Sequence, residues 1–150
     1  MTRVDFYVLE SADARERLKF ACRVIDKAFA AEQRVLVCFD SDGDATSFDE
    51  LLWTFAQDSF VPHELLNADS DWEETPVLLS AGQAPRSAPD VVVNLGAAVP
   101  ASAQSATAVI EIVDADAARR QAGRQRYKQY KELGVEPVTH KLGEAQDSGA

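Results

Sequence analysis

A chain of 150 residues with 46% hydrophobic side chains has the size and apolar content of one ordinary domain, with a core that needs neither disulfides nor a structural metal. Its formal net charge of −10 argues against a free-standing nucleic-acid binder, because neutralisation of phosphates by Lys and Arg supplies most non-specific affinity. Cys22 and Cys38 lack the CxxC spacing of metal or redox sites and sit in apolar runs, so both read as small buried hydrophobes.

In chain order, Val4, Phe6 and Val8 alternate with Asp5, Tyr7 and Leu9, which predicts a first strand. From about Asp13 to Glu32, the residues Leu18, Ala21, Cys22, Ile25, Ala28 and Phe29 keep the three-and-four spacing of one helical face, opposite Arg15, Glu16, Lys19 and Arg23. Arg34 to Phe39 is a strand apolar on both sides, as expected at the centre of a parallel sheet covered by helices. Strand, helix and strand in this order form a right-handed crossover.

Asp40-Ser-Asp-Gly-Asp44 reads as a turn, followed by a short helix from Ser47 to about Phe55 in which Ser47 caps and Glu50 completes a capping box. Phe48, Leu51, Leu52 and Phe55 share the inward face of this helix, and Trp53 falls off it, which predicts an exposed indole followed closely by Phe60, Val61 and Pro62. Further strands are expected at Pro76 to Ser80, Asp90 to Leu95 and Thr107 to Val113. A last helix is expected from about Ala115 to Leu133, stopped by Gly134 in a left-handed cap with Pro137 beyond it. The expected organisation is one α/β domain over 1–142 and a disordered tail over 143–150.

Catalytic motifs fail one by one. Asp40 ends the second strand where a ribose-binding acid stands in a dinucleotide fold, but Leu9-Glu-Ser-Ala-Asp-Ala-Arg15 lacks GxGxxG, and no GxxxxGK[ST] loop occurs. Asp40, Asp42 and Asp44 resemble the start of a calcium loop, yet Ala45 and Leu51 stand where its Gly and bidentate Glu belong. His63 and His140 belong to no triad or metal motif and are expected in packing or surface roles. No cofactor and no metal are therefore expected. The alternative is a Rossmann-like enzyme with a degenerate nucleotide site near Asp40.

Charge distribution is more informative than the sum. No Lys or Arg lies between Arg34 and Arg86, whereas Arg119, Arg120, Arg124, Arg126, Lys128, Lys131 and Lys141 gather near the end. Projected at about 100° per residue, Arg120, Arg124, Tyr127, Lys128 and Lys131 form one stripe, with Ala115, Ala118, Ala122 and Leu133 opposite and expected to pack on the sheet. A Tyr amid cations suits an acidic peptide with a hydrophobic end. The platform is small for single-stranded DNA, for which at most weak, salt-sensitive binding is expected. No apolar run approaches the roughly 20 residues of a membrane span, and nothing at the start reads as a leader, so a cytoplasmic protein is expected.

Three blocks carry a family resemblance: Asp5-Phe-Tyr-Val-Leu9; Phe48-Asp-Glu-Leu-Leu-Trp53 running on to Ser59-Phe-Val-Pro-His63; and Arg124-Gln-Arg-Tyr-Lys-Gln-Tyr130. They resemble the first strand, the LDExLW and SFVPH segments, and the RxRYKxY helix of the chi subunit family of bacterial DNA polymerase III. The resemblance implies a Rossmann-like three-layer αβα sandwich with a mainly parallel sheet. It also implies a non-catalytic accessory subunit of the replicative polymerase, which joins the clamp loader through the psi subunit and binds the acidic C-terminal tail of single-stranded DNA-binding protein. Carried over by position, Arg120, Arg124, Tyr127 and Lys128 would bind that tail, with Arg120 where the family pattern has a lysine. Trp53 and Phe60 would face psi, and Phe55 stands where the pattern has a proline.

Overall fold

The computed structural model describes residues 2–55 and 60–142; the tail expected from residue 143 onwards lies outside the described residues. The strands are β1 (Arg3–Leu9), β2 (Val35–Cys38), β3 (His63–Leu65), β4 (Val77–Ser80), β5 (Val91–Asn94), β6 (Ala108–Val113) and β7 (Val138–Leu142). The helices are α1 (Ala14–Ala30), α2 (Asp42–Thr54) and α3 (Ala117–Glu132), with a 3-10 turn at Ala101–Gln104. All the strand pairs are parallel, in the order β3-β4-β2-β5-β6-β1-β7.

Parallel pairing forces each connection to cross a face of the sheet, and both faces are consequently buried. Val35 and Val37 point to one face, into a cluster with Phe20, Ile25 and Ala28 of α1 and Phe48 and Leu52 of α2. Leu36 and Val92 point to the other, where Tyr130 of α3, Ala103 of the 3-10 turn and Trp72 close a second cluster. The result is the expected three-layer α/β sandwich, with a sheet that is parallel throughout. Burying each such Val, Leu or Phe contributes about 1.5–3 kcal/mol. Trp72 also satisfies its indole N–H on the Ser87 carbonyl at 3.0 Å.

Cys22 is buried and Cys38 half-buried, both free, and burial pushes each thiol up to about 12, so neither is a nucleophile at neutral pH. Of the two histidines expected in packing or surface roles, His140 ties edge strand β7 to Asp5 of β1 at 2.9 Å, and His63 ties edge strand β3 to α2 through the Asp49 carbonyl at 3.1 Å. Both edge strands went unread in the sequence. β3 has three residues, and β7 alternates Val, Thr, His, Lys and Leu without a sustained apolar row.

The N-cap of the second helix lies six residues before the expected position. Ser41, rather than Ser47, is its N-cap, and the Ser41 hydroxyl accepts from the Asp44 N–H at 3.1 Å. Asp42 and Asp44 occupy the first turn, where carboxylates complement the helix dipole, so Asp42 to Asp44 of the run read as a turn are helical. Ser41→Ala should lower stability by about 1 kcal/mol, while Ser47→Ala, on an exposed helical position, should change it by less than about 0.5 kcal/mol. Equal shifts of the urea midpoint for the two variants would refute this start.

Candidate functional site

The last helix is set by its caps: Asp116 accepts from the Arg119 N–H at 2.9 Å, and Gly134 with φ +87° ends the helix as expected. Its rotation about its own axis differs from the projection. The face against the sheet is Gly123, Arg126 and Tyr130; Ala118 is exposed and Ala122 half-buried beside the crevice at Asp40, and Leu133 is 49% exposed.

The cause is a carboxylate inside the sheet. Glu111 of β6 is fully buried; Arg126 Nε donates to its Oε1 at 2.9 Å, while Tyr130 OH and Asn94 Nδ2 donate to its Oε2 at 2.7 and 2.9 Å. A second guanidinium nitrogen of Arg126 donates to the Ala97 carbonyl at 3.0 Å. Burial pushes the Glu111 carboxyl above the usual range against the opposing pull of these donors, and burial likewise raises the Tyr130 phenol. A buried charge needs its partners more than an alanine needs contact, so the polar side of α3 turns inward. Gly123 allows the close approach: a Cβ there would lie 2.9 Å from Cγ2 of Val113.

With α3 so rotated, its basic flank overlooks a groove of about 480 Å³ along β1. Phe6, Val8 and Val113 form an apolar floor with Gly123; Arg120, Arg124 and Tyr127 line the helix side, and Thr139, Lys141 and Glu10 the other. The Tyr127 ring packs on Phe6 at 5.4 Å between centroids. Among the described residues, exposed Arg124 reaches only the Gln121 side chain, at 3.5 Å, whereas Arg120 is half-buried and its Nε is buried without a hydrogen-bond partner. Lys128 is exposed on the outer surface of α3 and does not line the groove.

At the far edge of the sheet, Trp53 is 45% exposed and Phe60 67%, with their rings 5.3 Å apart. Phe48 and Leu52 are buried and Leu51 and Phe55 pack against the same core, as the helical spacing predicts. Behind Trp53 lies the His63 ring, 4.0 Å away, with Nδ1 2.7 Å from the Val61 carbonyl and Nε2 3.1 Å from that of Asp49. Five strands separate β3 from β7, so the two surfaces stand roughly 30 Å apart at about 4.8 Å per strand.

A crevice of about 450 Å³ also opens at the carboxyl ends of β2 and β5, where connections leave to opposite faces and α/β folds often hold ligands. Here the Asp40 carboxylate fills the gap, accepting from the Ala97 N–H at 2.8 Å, and a Cβ on Gly96 would come within 3.0 Å of it. Arg17 donates to the Ile112 and Leu95 carbonyls at 2.9 and 3.3 Å, Arg126 is held by Glu111, and Arg119 pairs with Asp114 at 2.7 Å. Burial pulls the Arg17 guanidinium down to about 10. Asp40 and Asp44 present negative charge where a diphosphate would lie.

Structure therefore gathers three of the four motif residues, Arg120, Arg124 and Tyr127, into one groove and brings Trp53 to Phe60 at another surface. Glu111, Gly123, Thr139 and Lys141 were not singled out as site residues. A charge inside the otherwise apolar run Ala108-Val-Ile-Glu-Ile-Val113 was the one available signal for Glu111. The model of the family described as DNA polymerase III chi subunit, HolC, matches residues 1–138. The chain belongs to that family. Among curated chi subunits it is 36% identical to DNA polymerase III subunit chi of Pseudomonas aeruginosa over 142 residues, covering 95% of this chain and 98% of that one. It is 29% identical to the Haemophilus influenzae chi subunit, covering 92% and 96%, and 27% identical to that of Escherichia coli, covering 89% and 94%.

Solved structures share the fold at much lower identity. T4 UvsW aligns with a TM-score of 0.63 at 10% identity, covering 94% of this chain and 41% of that one. Mss116p DEAD-box helicase domain 2, solved bound to an RNA duplex, aligns at 0.62 and 10%, covering 97% and 67%. These likenesses concern the arrangement of strands and helices in the chi fold. Among the described residues, no helix is long and apolar enough to cross a membrane, and no group of three or more His, Cys, Asp or Glu is placed to hold a metal.

Proposed function

We propose that this chi-family protein is a non-catalytic adaptor of the replicative polymerase, which binds the acidic C-terminal tail of single-stranded DNA-binding protein at the α3 groove and the psi subunit at the Trp53 surface. The observation that carries the first assignment is the groove itself: cations at Arg120 and Arg124 above an apolar floor, with the buried Nε of Arg120 lacking an acceptor. Buried donors are nearly always satisfied, so an acceptor from a ligand fits there. An acidic tail ending in an apolar residue supplies both carboxylates and an anchor for Phe6 and Tyr127. Lys128 adds to the positive field from outside the groove.

Trp53 and Phe60 support the second assignment, since an exposed Trp in contact with a second aromatic ring is the kind of anchor that dominates protein interfaces. Through psi the protein would enter the clamp-loader complex. The roughly 30 Å between the surfaces leaves room for both partners at once. Direct binding of single-stranded DNA through α3 would be at most weak, because the surrounding body is acidic.

The test is titration of a fluorescent tail peptide. Binding should weaken with rising salt and fall by at least about tenfold in the Arg124→Ala, Tyr127→Ala double variant, the loss expected for a cation together with an aromatic anchor. Undiminished affinity in that variant would remove the groove assignment.

A further inference from the structure

We infer that the groove's occupant is held from two sides, and that Lys141 on the edge strand β7 is a ligand-binding cation facing Arg120 and Arg124 across the gap. The inference rests on the tail-binding reading of the groove and adds a wall to it. In the β1–β7 ladder, Phe6 stands opposite Thr139 and Val8 opposite Lys141. Directly opposed residues of neighbouring strands point to the same face of the sheet. Phe6 and Val8 belong to the groove floor, so Thr139 and Lys141 rise beside it, and all four line the same cavity. α3 packs over β6, and the strip of β1 and β7 beyond it forms the groove.

The side chains are ordered along this strip. Arg120, Arg124 and Lys141 stand toward the carboxyl ends of the strands, while Phe6 and Tyr127 lie nearer the middle. An acidic peptide would place its carboxylates between helix and strand and its apolar end on the ring pair. A ligand lying only along the outer stripe of α3 would leave Lys141 uninvolved. Glu10, the one acidic residue lining the groove among the described residues, sits at the cationic end and opposes the field there. Lys141 and Glu10 should therefore act with opposite signs, which a general effect on folding would not produce.

The experiment uses the full chain and a fluorescein-labelled peptide of several aspartates ending in phenylalanine, followed by anisotropy at low salt. Lys141→Ala should weaken binding about twofold to fivefold, and Glu10→Gln should tighten it by a similar factor, the scale of one exposed charge. Lys27→Ala, on the exposed side of α1 across the sheet, should bind as the unaltered protein does. Unchanged affinity in Lys141→Ala alongside a loss in Arg124→Ala would overturn the two-sided groove and leave the tail-binding reading intact. Absence of binding to the unaltered protein would overturn both.

Discussion

Glu111→Ala should destabilise the fold by about 3–5 kcal/mol, the cost of leaving a buried guanidinium without its counter-charge. Arg126 is 3% exposed and would retain, among the described residues, only the Ala97 carbonyl, while Tyr130 and Asn94 would each lose an acceptor. Against the 5–15 kcal/mol typical of a domain this is a large fraction. Glu111→Gln, which keeps an acceptor and the shape, should cost less, about 1–3 kcal/mol. Urea denaturation of the two variants provides the comparison. A Glu111→Ala midpoint equal to that of the unaltered protein would mean that α3 is held by apolar contact instead. Because Arg126 and Tyr130 share the helix with Arg120, Arg124 and Tyr127, the same substitution should also impair peptide binding in whatever fraction remains folded.

Gly123→Ala is expected to reverse the usual sign of that substitution. In an exposed helix interior it would stabilise by about 1 kcal/mol. Here the new methyl would meet Cγ2 of Val113 at 2.9 Å and Cγ1 at 3.4 Å, and the branched Val113 side chain has little rotamer freedom with which to yield. Overpacking of this kind costs about 1–3 kcal/mol. Because Gly123 and Val113 both line the groove, the helix displacement should also weaken the tail peptide. Combining Gly123→Ala with Val113→Ala makes room, so the double variant should be more stable than the sum of the single losses predicts. A Gly123→Ala protein that unfolds at higher urea concentration than the unaltered one would rule out the close approach as the reason for this glycine.

Core and surface are linked through α3. The cationic flank of α3 faces the groove because Glu111 fixes the rotation of the helix and Gly123 fixes its height above β6. At the other edge, His63 plays a comparable part, its ring bonded to α2 and to its own loop while it backs Trp53. Each proposed partner surface is thus supported from behind by a buried polar group.

Local chemistry was sufficient for much of this. Alternation in Val4, Phe6 and Val8, the helical spacing from Leu18 to Phe29 and the all-apolar Val35 to Cys38 specify a crossover unit and hence a parallel α/β sandwich, because each signal depends on neighbours a few residues away. The Arg124 to Tyr130 block and the off-face position of Trp53 were legible for the same reason. The groove was not, since its far wall comes from β7, an edge strand whose residues are fixed only by pairing with β1 more than a hundred positions earlier. The orientation of α3 was hidden too: helical periodicity ranks alanine as the inward side, and only the tertiary position of Glu111 makes burying Arg126 and Tyr130 the lower-energy choice. The sequence alone thus determined the family, the five central strands with their three helices and the charge carried by the last helix. The tertiary structure decided which side of that helix faces the groove and what stands across from it, because those depend on a buried charge and a strand pairing that no local pattern encodes.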